Sequence, residues 1–99
     1  MSFTSKRTGA FKELFAKLPA VVQQSAESRY REYFLEDPAH PLLRRHYLKD
    51  VGDAHVQSIS VEMHHGYRAV GFFDDREACY VWYWCGSHAE YDTRFRKGR

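Results

Sequence analysis

The sequence predicts an α+β domain in which two N-terminal helices pack on one face of a small antiparallel sheet, followed by a short C-terminal helix or turn. Apolar residues recur at helical spacing near the start of the chain, and they alternate with polar residues in runs of the second half. Helices followed by strands are typical of this class. Because 99 residues supply one core, we expect a single domain over residues 1–99.

The first helix is predicted over residues 8–19, where one face carries Phe11, Leu14, Phe15 and Leu18. Pro19 ends this helix and begins a longer one, because proline suits the first turn of a helix but not its interior. The apolar stripe of the second helix continues to Phe34, and the helix stops before Asp37 and Pro38. Residues 38–55 show no sustained period, which indicates an ordered connection.

Three strand-like runs follow, "VQSISVEM", "YRAVGFF" and "CYVWYWC", separated by the turns "HHG" and "DDRE". Their order predicts an antiparallel meander, preceded by a short strand at residues 2–5. The third run is apolar on both faces, which predicts a central strand that is covered on both sides. Ser87 and Glu90 then have the spacing of a capping box, so a short helix or turn is expected over "SHAEYDTRF".

Composition excludes several classes of protein. No run of about 18 apolar residues could span a membrane, and the N-terminus lacks the apolar segment of a secretory signal, so we expect a cytoplasmic protein. Cys79 and Cys85 lie about 20 Å apart if they share one strand, which is too far for a disulfide, so both are expected as thiols. The net charge of +2 excludes a strongly basic nucleic-acid binder, although basic residues gather in "SKR", "LLRRHYLK" and "RFRKGR".

Three segments, in this order, carry a resemblance to a known family: residues 12–48, the strand "YRAVGFF" and the closing segment "WCGSHAEYD". They resemble, respectively, the two-helix hairpin with its following loop, the Tyr-Arg strand, and a Gly-Ser-His…Glu-Tyr-Asp ending of the RelE/ParE superfamily of toxins from bacterial toxin–antitoxin modules. The resemblance implies a cytoplasmic toxin neutralised by a small cognate antitoxin. It leaves open a homodimer or a hetero-oligomer with the antitoxin.

The resemblance implies two different activities. Members on the RelE side cleave mRNA in the ribosomal A site without metal, whereas members on the ParE side inhibit DNA gyrase and are not nucleases. We expect a metal-free, ribosome-dependent mRNA endoribonuclease that needs no cofactor and acts on mRNA on the ribosome. The alternatives are a non-enzymatic toxin that binds gyrase and a degenerate member that binds only its antitoxin.

RNA cleavage of this kind needs a base for the 2′-OH, cations around the phosphate, and an acid for the leaving oxygen. By resemblance, Arg68 of "YRAV" is expected to hold the phosphate, for which its planar fork is suited. His88 is expected to act as acid or base, and Tyr91 to stack on a base or assist proton transfer. Each has a structural alternative: an ion pair for Arg68, a helix cap for His88 and a core position for Tyr91.

The connection adds a compact basic cluster, Arg44, Arg45 and His46, which we expect to bind RNA phosphates unless it is only solvated surface. His40 lies near the position where one nucleolytic branch has a glutamate as general base, and whether it substitutes is left open. A zinc site built from His64 and His65 with His88 or His55 is disfavoured. Adjacent strand residues point to opposite faces, and no thiol or carboxylate stands at a ligand spacing, so no metal is expected.

Overall fold

The computed structural model describes residues 3–48 and 58–95 of the chain. The elements in chain order are β1 (Thr4–Arg7), α1 (Gly9–Ala16), α2 (Ala20–Arg29), a π-helical turn (Tyr30–Phe34), a 3-10 turn (Pro41–Leu43), β2 (His46–Tyr47), β3 (Ser58–His64), β4 (Tyr67–Asp74), β5 (Cys79–Ser87) and α3 (His88–Phe95). The predicted α+β class, the two N-terminal helices and the short C-terminal helix are confirmed.

Local signals in the sequence explain the N-terminal helices. The Thr8 hydroxyl accepts a hydrogen bond from the Phe11 N–H at 3.1 Å, which caps α1. Pro19 immediately precedes α2, as its lack of a backbone N–H allows. The Gln23 amide then donates to the carbonyls of Phe15 and Leu18 at 3.1 and 3.0 Å, and so binds the end of α1 to the start of α2. The hairpin is therefore held by polar groups at its bend.

The sheet has five strands in the order β1-β5-β4-β3-β2. Strands β3, β4 and β5 pair antiparallel as predicted, and β2, which was not predicted, pairs antiparallel to β3. Strand β1 pairs parallel to β5, with Ser5 opposite Tyr80, so the sheet is mixed rather than purely antiparallel. The predicted first strand is thus present, from Thr4 to Arg7, while residue 2 lies outside the described part. The side chains of β1 are mostly exposed, so its sequence carries no alternation that could have indicated its partner.

The aromatic strand β5 lies inside the sheet, between β1 and β4, but β4 is the central strand, which corrects the predicted position of β5. Both faces of β5 are covered, as predicted. Tyr80 and Trp82 belong to the large cluster under α1 and α2, whereas Trp84 belongs to a smaller cluster under α3. A register shift makes this possible, because Val70 pairs with Trp84 while the next residue, Gly71, pairs with Trp82.

Without this bulge at Tyr83, residues 82 and 84 would point to the same face of the strand. The bulge therefore sends one tryptophan into each core. The large core contains Phe11, Val22, Phe34, Leu43, Ile59, Val61, Met63, Ala69, Tyr80, Trp82 and Cys85, and the small core contains Leu48, Val70, Trp84 and Tyr91. None of the helices in residues 3–48 and 58–95 is long and apolar enough to cross a membrane.

Candidate functional site

Arg68 lies on the central strand, opposite Glu62 of β3 and Gly86 of β5, and only 4% of its surface is exposed. Its Nε donates to the Ser60 hydroxyl at 2.5 Å, and its Nη2 donates to the carbonyls of Arg44 and Ser60 at 2.6 and 3.1 Å. A buried guanidinium needs such acceptors, because an unsatisfied charge in the interior is costly. Arg68 consequently ties the sheet to the loop that contains Arg44.

Tyr91 is also buried, with 3% of its surface exposed, in the small core with Leu48, Val70 and Trp84. The Arg68 guanidinium carbon lies 5.5 Å from the centre of its ring, a cation–π arrangement. The Tyr91 ring thus covers Arg68 from the side of α3. In this arrangement neither side chain is presented to solvent, and the predicted contact of each with RNA stays a prediction.

His88, the first residue of α3, is exposed at the surface. Its backbone N–H donates to the Gly66 carbonyl at 2.7 Å, which fixes the start of the helix against the β3–β4 turn. Its Nε2 lies 3.5 Å from a carboxylate oxygen of Asp92, one helical turn further on, and its ring centre lies 5.9 Å from that of Tyr91. The imidazole is therefore accessible and has a carboxylate beside it.

The predicted capping box at the start of α3 is formed by Ser87 and Glu90 and does not use the His88 side chain. The Ser87 N–H donates to the Glu90 carboxylate at 2.9 Å, and the Glu90 N–H donates to the Ser87 hydroxyl at 3.2 Å. Ser87 and Glu90 thus supply the cap between them. The structural alternative, in which Ser87 and His88 open the last helix, is therefore what the structure shows for their position.

Arg68, Tyr91 and His88 form one row of side chains, in which the Tyr91 ring lies between the other two, but they differ in accessibility. His88 is at the surface, while Arg68 and Tyr91 lie beneath it. The row continues through the Arg68–Arg44 hydrogen bond to the predicted basic cluster. The structure therefore connects the two groups of predicted site residues through one buried arginine.

The basic cluster lies between the 3-10 turn and the short edge strand β2. Arg44 has a left-handed backbone (φ 49°), and its Nε lies 3.5 Å from a Glu62 oxygen that also accepts from Arg29 at 3.1 Å. His46 is exposed on β2, where its backbone is paired with Ser60. Two arginines thus share one carboxylate, so positive charge remains in excess around Glu62.

The sequence reasoning did not single out Tyr47, which is 59% exposed at the end of this cluster. The Arg45 Nη2 donates to the Tyr47 hydroxyl at 3.1 Å, and the guanidinium carbon lies 5.0 Å from the ring centre. Arg45 Nη1 also donates to the Pro38 carbonyl at 3.3 Å. An aromatic residue that directly follows three basic ones was the signal available in the sequence.

The side chain of His40 makes two structural contacts. Its Nδ1 accepts a hydrogen bond from the Leu42 N–H at 3.1 Å at the start of the 3-10 turn, and its ring stacks on Tyr33 with the ring centres 4.6 Å apart. These contacts give His40 a structural role. Its use as a general base stays an open prediction.

A separate cleft of about 450 Å³ lies between α1, α2 and the sheet, away from Arg68 and His88. Its walls are mainly apolar, and Arg7 and Arg31 are among the charged residues that line it. Ser5 also lines this cleft, and its hydroxyl is a buried oxygen that has no hydrogen-bond partner among the described residues. Sequence reasoning missed the cleft, because it arises from the spacing between two helices rather than from any motif.

The two cysteines are free thiols, as predicted, and both are buried. Burial, together with the negative charge of Glu90, raises the pKa of the Cys85 thiol to about 12. Cys85 is therefore a neutral thiol at neutral pH and a poor nucleophile. Within residues 3–48 and 58–95 no group of three or more histidine, cysteine or acidic side chains is arranged to hold a metal ion, while His55 lies outside these ranges.

The two-helix hairpin, the mixed sheet and the terminal helix define a RelE-like α+β fold. A chain in the archaeal RelE–RelB complex from Pyrococcus horikoshii OT3 matches with a TM-score of 0.67 and 12% identity, over 89% of this chain and 97% of that one. A chain in the toxin–antitoxin complex RelBE2 from Mycobacterium tuberculosis matches with a TM-score of 0.64 and 15% identity, over 88% and 99% of the two chains. No family model and no curated protein matches the sequence. The likeness confirms the predicted fold.

Proposed function

We propose that this protein is the toxin of a toxin–antitoxin module and that it acts as a metal-free, ribosome-dependent mRNA endoribonuclease. The observation that supports the first part is the fold, which matches nearly the full length of chains from the RelE–RelB and RelBE2 complexes. A cognate antitoxin is then its protein partner. Its substrate is mRNA on the ribosome.

His88 carries the proposed chemistry, because its imidazole is exposed beside the Asp92 carboxylate and histidine is the side chain that most often transfers protons in catalysis. Attack of a 2′-OH on the adjacent phosphate requires such a transfer, and Arg44 and Arg45 supply positive charge for RNA. Arg68 and Tyr91 lie beneath these exposed side chains and position them. Direct contact of Arg68 with a phosphate requires α3 to move, since the Tyr91 ring covers it.

A toxin that binds its target without cleaving it is the second candidate. The burial of Arg68 and Tyr91, which are 4% and 3% exposed, favours it, because both would have to reach RNA in the nucleolytic relatives' mechanism. Gyrase or the antitoxin alone would be the partner in that case. The two candidates differ in whether mRNA is cut.

Primer-extension mapping of a reporter mRNA after brief induction in cells separates them. The wild-type chain is expected to produce cuts within translated frames, and no cuts when the start codon of the reporter is removed. His88→Ala should reduce cutting roughly 100-fold or more, because positioned acid–base groups contribute about that factor. His65→Ala, which removes another exposed histidine, is the matched control and should cut normally.

Growth arrest with intact mRNA would exclude the nuclease and support the second candidate, with gyrase activity as the next assay. Neither arrest nor cleavage would leave antitoxin binding as the remaining function. Equal loss of cutting in His65→Ala and His88→Ala would remove the specific role of His88.

A further inference from the structure

Residues 44–47 combine positive charge with an exposed aromatic ring at the edge of the sheet. Tyr47, in β2, is 59% exposed, and the side chain of Arg44, just before β2, is 68% exposed. In the described sheet β2 is the edge strand beside β3. Tyrosine combines an apolar ring with a polar hydroxyl, so an exposed one beside two arginines presents a stacking surface next to positive charge. The segment is an exposed, basic and aromatic surface.

We propose that segment 44–47 is a binding site for single-stranded RNA, in which Tyr47 stacks on an unpaired base while Arg44 and Arg45 contact the flanking phosphates. This proposal deepens the proposed function and rests on it for the choice of RNA as the target. The site is distinct from the row formed by Arg68, Tyr91 and His88. It assigns base stacking to Tyr47 rather than to the buried Tyr91.

The Tyr47 ring is held in place before any ligand binds. Arg45 reaches it twice, through the hydrogen bond to its hydroxyl and through the guanidinium over its ring, and Arg45 is itself held by the Pro38 carbonyl. A ring that is already ordered loses little side-chain entropy on binding. Arg45 also adds a cationic plane next to the base, a combination common in single-strand binders.

The backbone of the segment is fixed from below by Arg68. Arg44 has a left-handed conformation, which is unfavourable for a residue with a side chain, and its carbonyl accepts the Arg68 hydrogen bond at 2.6 Å. Arg44 ends the 3-10 turn, and the chain then enters β2. Arg68 is thus a positioning residue that keeps residues 44–47 at the sheet edge.

The positive charge of this segment and its exposed Tyr47 ring together favour single-stranded RNA as the ligand. Arg29 and Arg44 share Glu62, and the hydrogen-bond partners of Arg45 within residues 3–48 and 58–95 include no carboxylate, so this surface has an excess of positive charge for a polyanion. In a duplex the bases are already stacked on each other, so an exposed aromatic ring adds affinity only for unpaired bases. We therefore expect single-stranded RNA to bind more tightly than duplex RNA.

The test is fluorescence anisotropy of the full chain with a labelled single-stranded RNA of about 10 nucleotides at several salt concentrations, with a duplex of equal length beside it. Tyr47→Ala should weaken single-strand binding between about fivefold and 150-fold, the value of one stacked base, without changing the salt slope. Tyr47→Phe keeps the ring and should bind within about threefold of wild type. Arg44→Ala should reduce the salt slope by about one unit, and Arg76→Ala, an exposed arginine on the β4–β5 turn, should not.

Circular dichroism and thermal unfolding confirm that each variant is folded. Wild-type binding of RNA that Tyr47→Ala does not weaken would overturn the proposal, as would failure of the wild-type chain to bind the oligonucleotide. Loss of antitoxin binding in Tyr47→Ala with RNA binding intact would also overturn it and assign the surface to protein. Tyr47-dependent RNA binding without mRNA cleavage in cells would uphold the site while the nuclease assignment fails.

Discussion

Arg68 shows at the scale of one residue how a position that resembles a functional site can also hold the fold together. Its Nε and Nη2 donate to Ser60 and to the Arg44 carbonyl, and its guanidinium lies against Tyr91. The strand sequence "YRAV" indicates the position of Arg68. It cannot indicate the acceptors, because Ser60 and Arg44 come from other segments of the chain.

Arg68→Lys should lower the free energy of unfolding by about 1–3 kcal/mol, because a lysine cannot reproduce the planar set of hydrogen bonds in a closed site. Arg68→Ala should cost about 3 kcal/mol or more, since it removes several charge-assisted bonds and leaves Ser60, which is fully buried, without its donor. Urea unfolding followed by circular dichroism measures both. Arg76→Ala, on an exposed turn, should stay within about 0.5 kcal/mol of wild type.

If Arg68→Lys unfolds at the wild-type urea concentration and yet loses activity, Arg68 contacts substrate and its positioning role is wrong. Activity data on this residue therefore need stability data beside them.

At the scale of elements, the β-bulge between β4 and β5 determines how the aromatic strand is used. It places Trp82 and Trp84, two residues apart, in the two different cores, as regular alternation cannot. Gly71, opposite Trp82, permits this close approach. A β-carbon there would lie 2.5 Å from the Val81 carbonyl oxygen and 2.7 Å from a carbon of the Trp82 ring.

Gly71→Ala should therefore destabilise the protein by about 1–3 kcal/mol, since the nearest obstacle is backbone that cannot move aside without breaking the sheet. Gly9→Ala is the matched control, because a β-carbon at Gly9, the first residue of α1, meets nothing within 4 Å. It should leave stability unchanged or raise it by up to about 1 kcal/mol. Equal unfolding midpoints for the two variants would show that the bulge can relax around a methyl group.

Most elements could be predicted from the sequence because their signals are local. Helical spacing in α1 and α2, alternation in β3 and the capping box at Ser87 each depend on residues that are close in the chain. The bulge, the parallel pairing of β1 and the edge strand β2 depend on partners far along the chain. Such long-range pairings produce no periodic pattern of apolar residues in the sequence.

The candidate site divides in the same way. The position of His88 and the basic character of Arg44 and Arg45 follow from the sequence itself, and the structure places all three where solvent can reach them in whole or part. A core position was one of the two alternatives stated for Tyr91, and the structure shows it. The choice between them, like the burial of Arg68, could not be made from the sequence because it depends on how α3 packs over the sheet. Tyr47 was not predicted as a site residue, because a single aromatic residue in an irregular segment belongs to no periodic pattern.

At the scale of the whole molecule, the parallel pairing of β1 with β5 closes the sheet with the beginning of the described chain. The Thr4 N–H donates to the Ala78 carbonyl at 3.0 Å, and the Thr8 N–H donates to the Trp82 carbonyl at 2.9 Å, so both ends of β1 are fixed. Without β1, the aromatic strand β5 would be the edge of the sheet. An exposed apolar edge strand is a site for association between chains.

Deletion of residues 1–7 should therefore cause the protein to aggregate, which size-exclusion chromatography with light scattering would detect. The deletion also removes Phe3, whose ring packs on Phe34 and Tyr80. Phe3→Ala is the control, because it removes the ring and keeps the backbone pairing, and it should lower stability without causing aggregation. If the shortened chain elutes as the full chain does, β1 has no protective role.

The same pairing sets the order in which the sheet is completed during synthesis. Residues 4–7 leave the ribosome first and their partners at 79–82 follow about 75 residues later, a delay of about 4–15 s at ordinary rates of elongation. When the aromatic strand emerges, the strands on both sides of it have already been made. The aromatic strand, which would be an exposed edge without β1, is therefore made after both of the strands that pair with it.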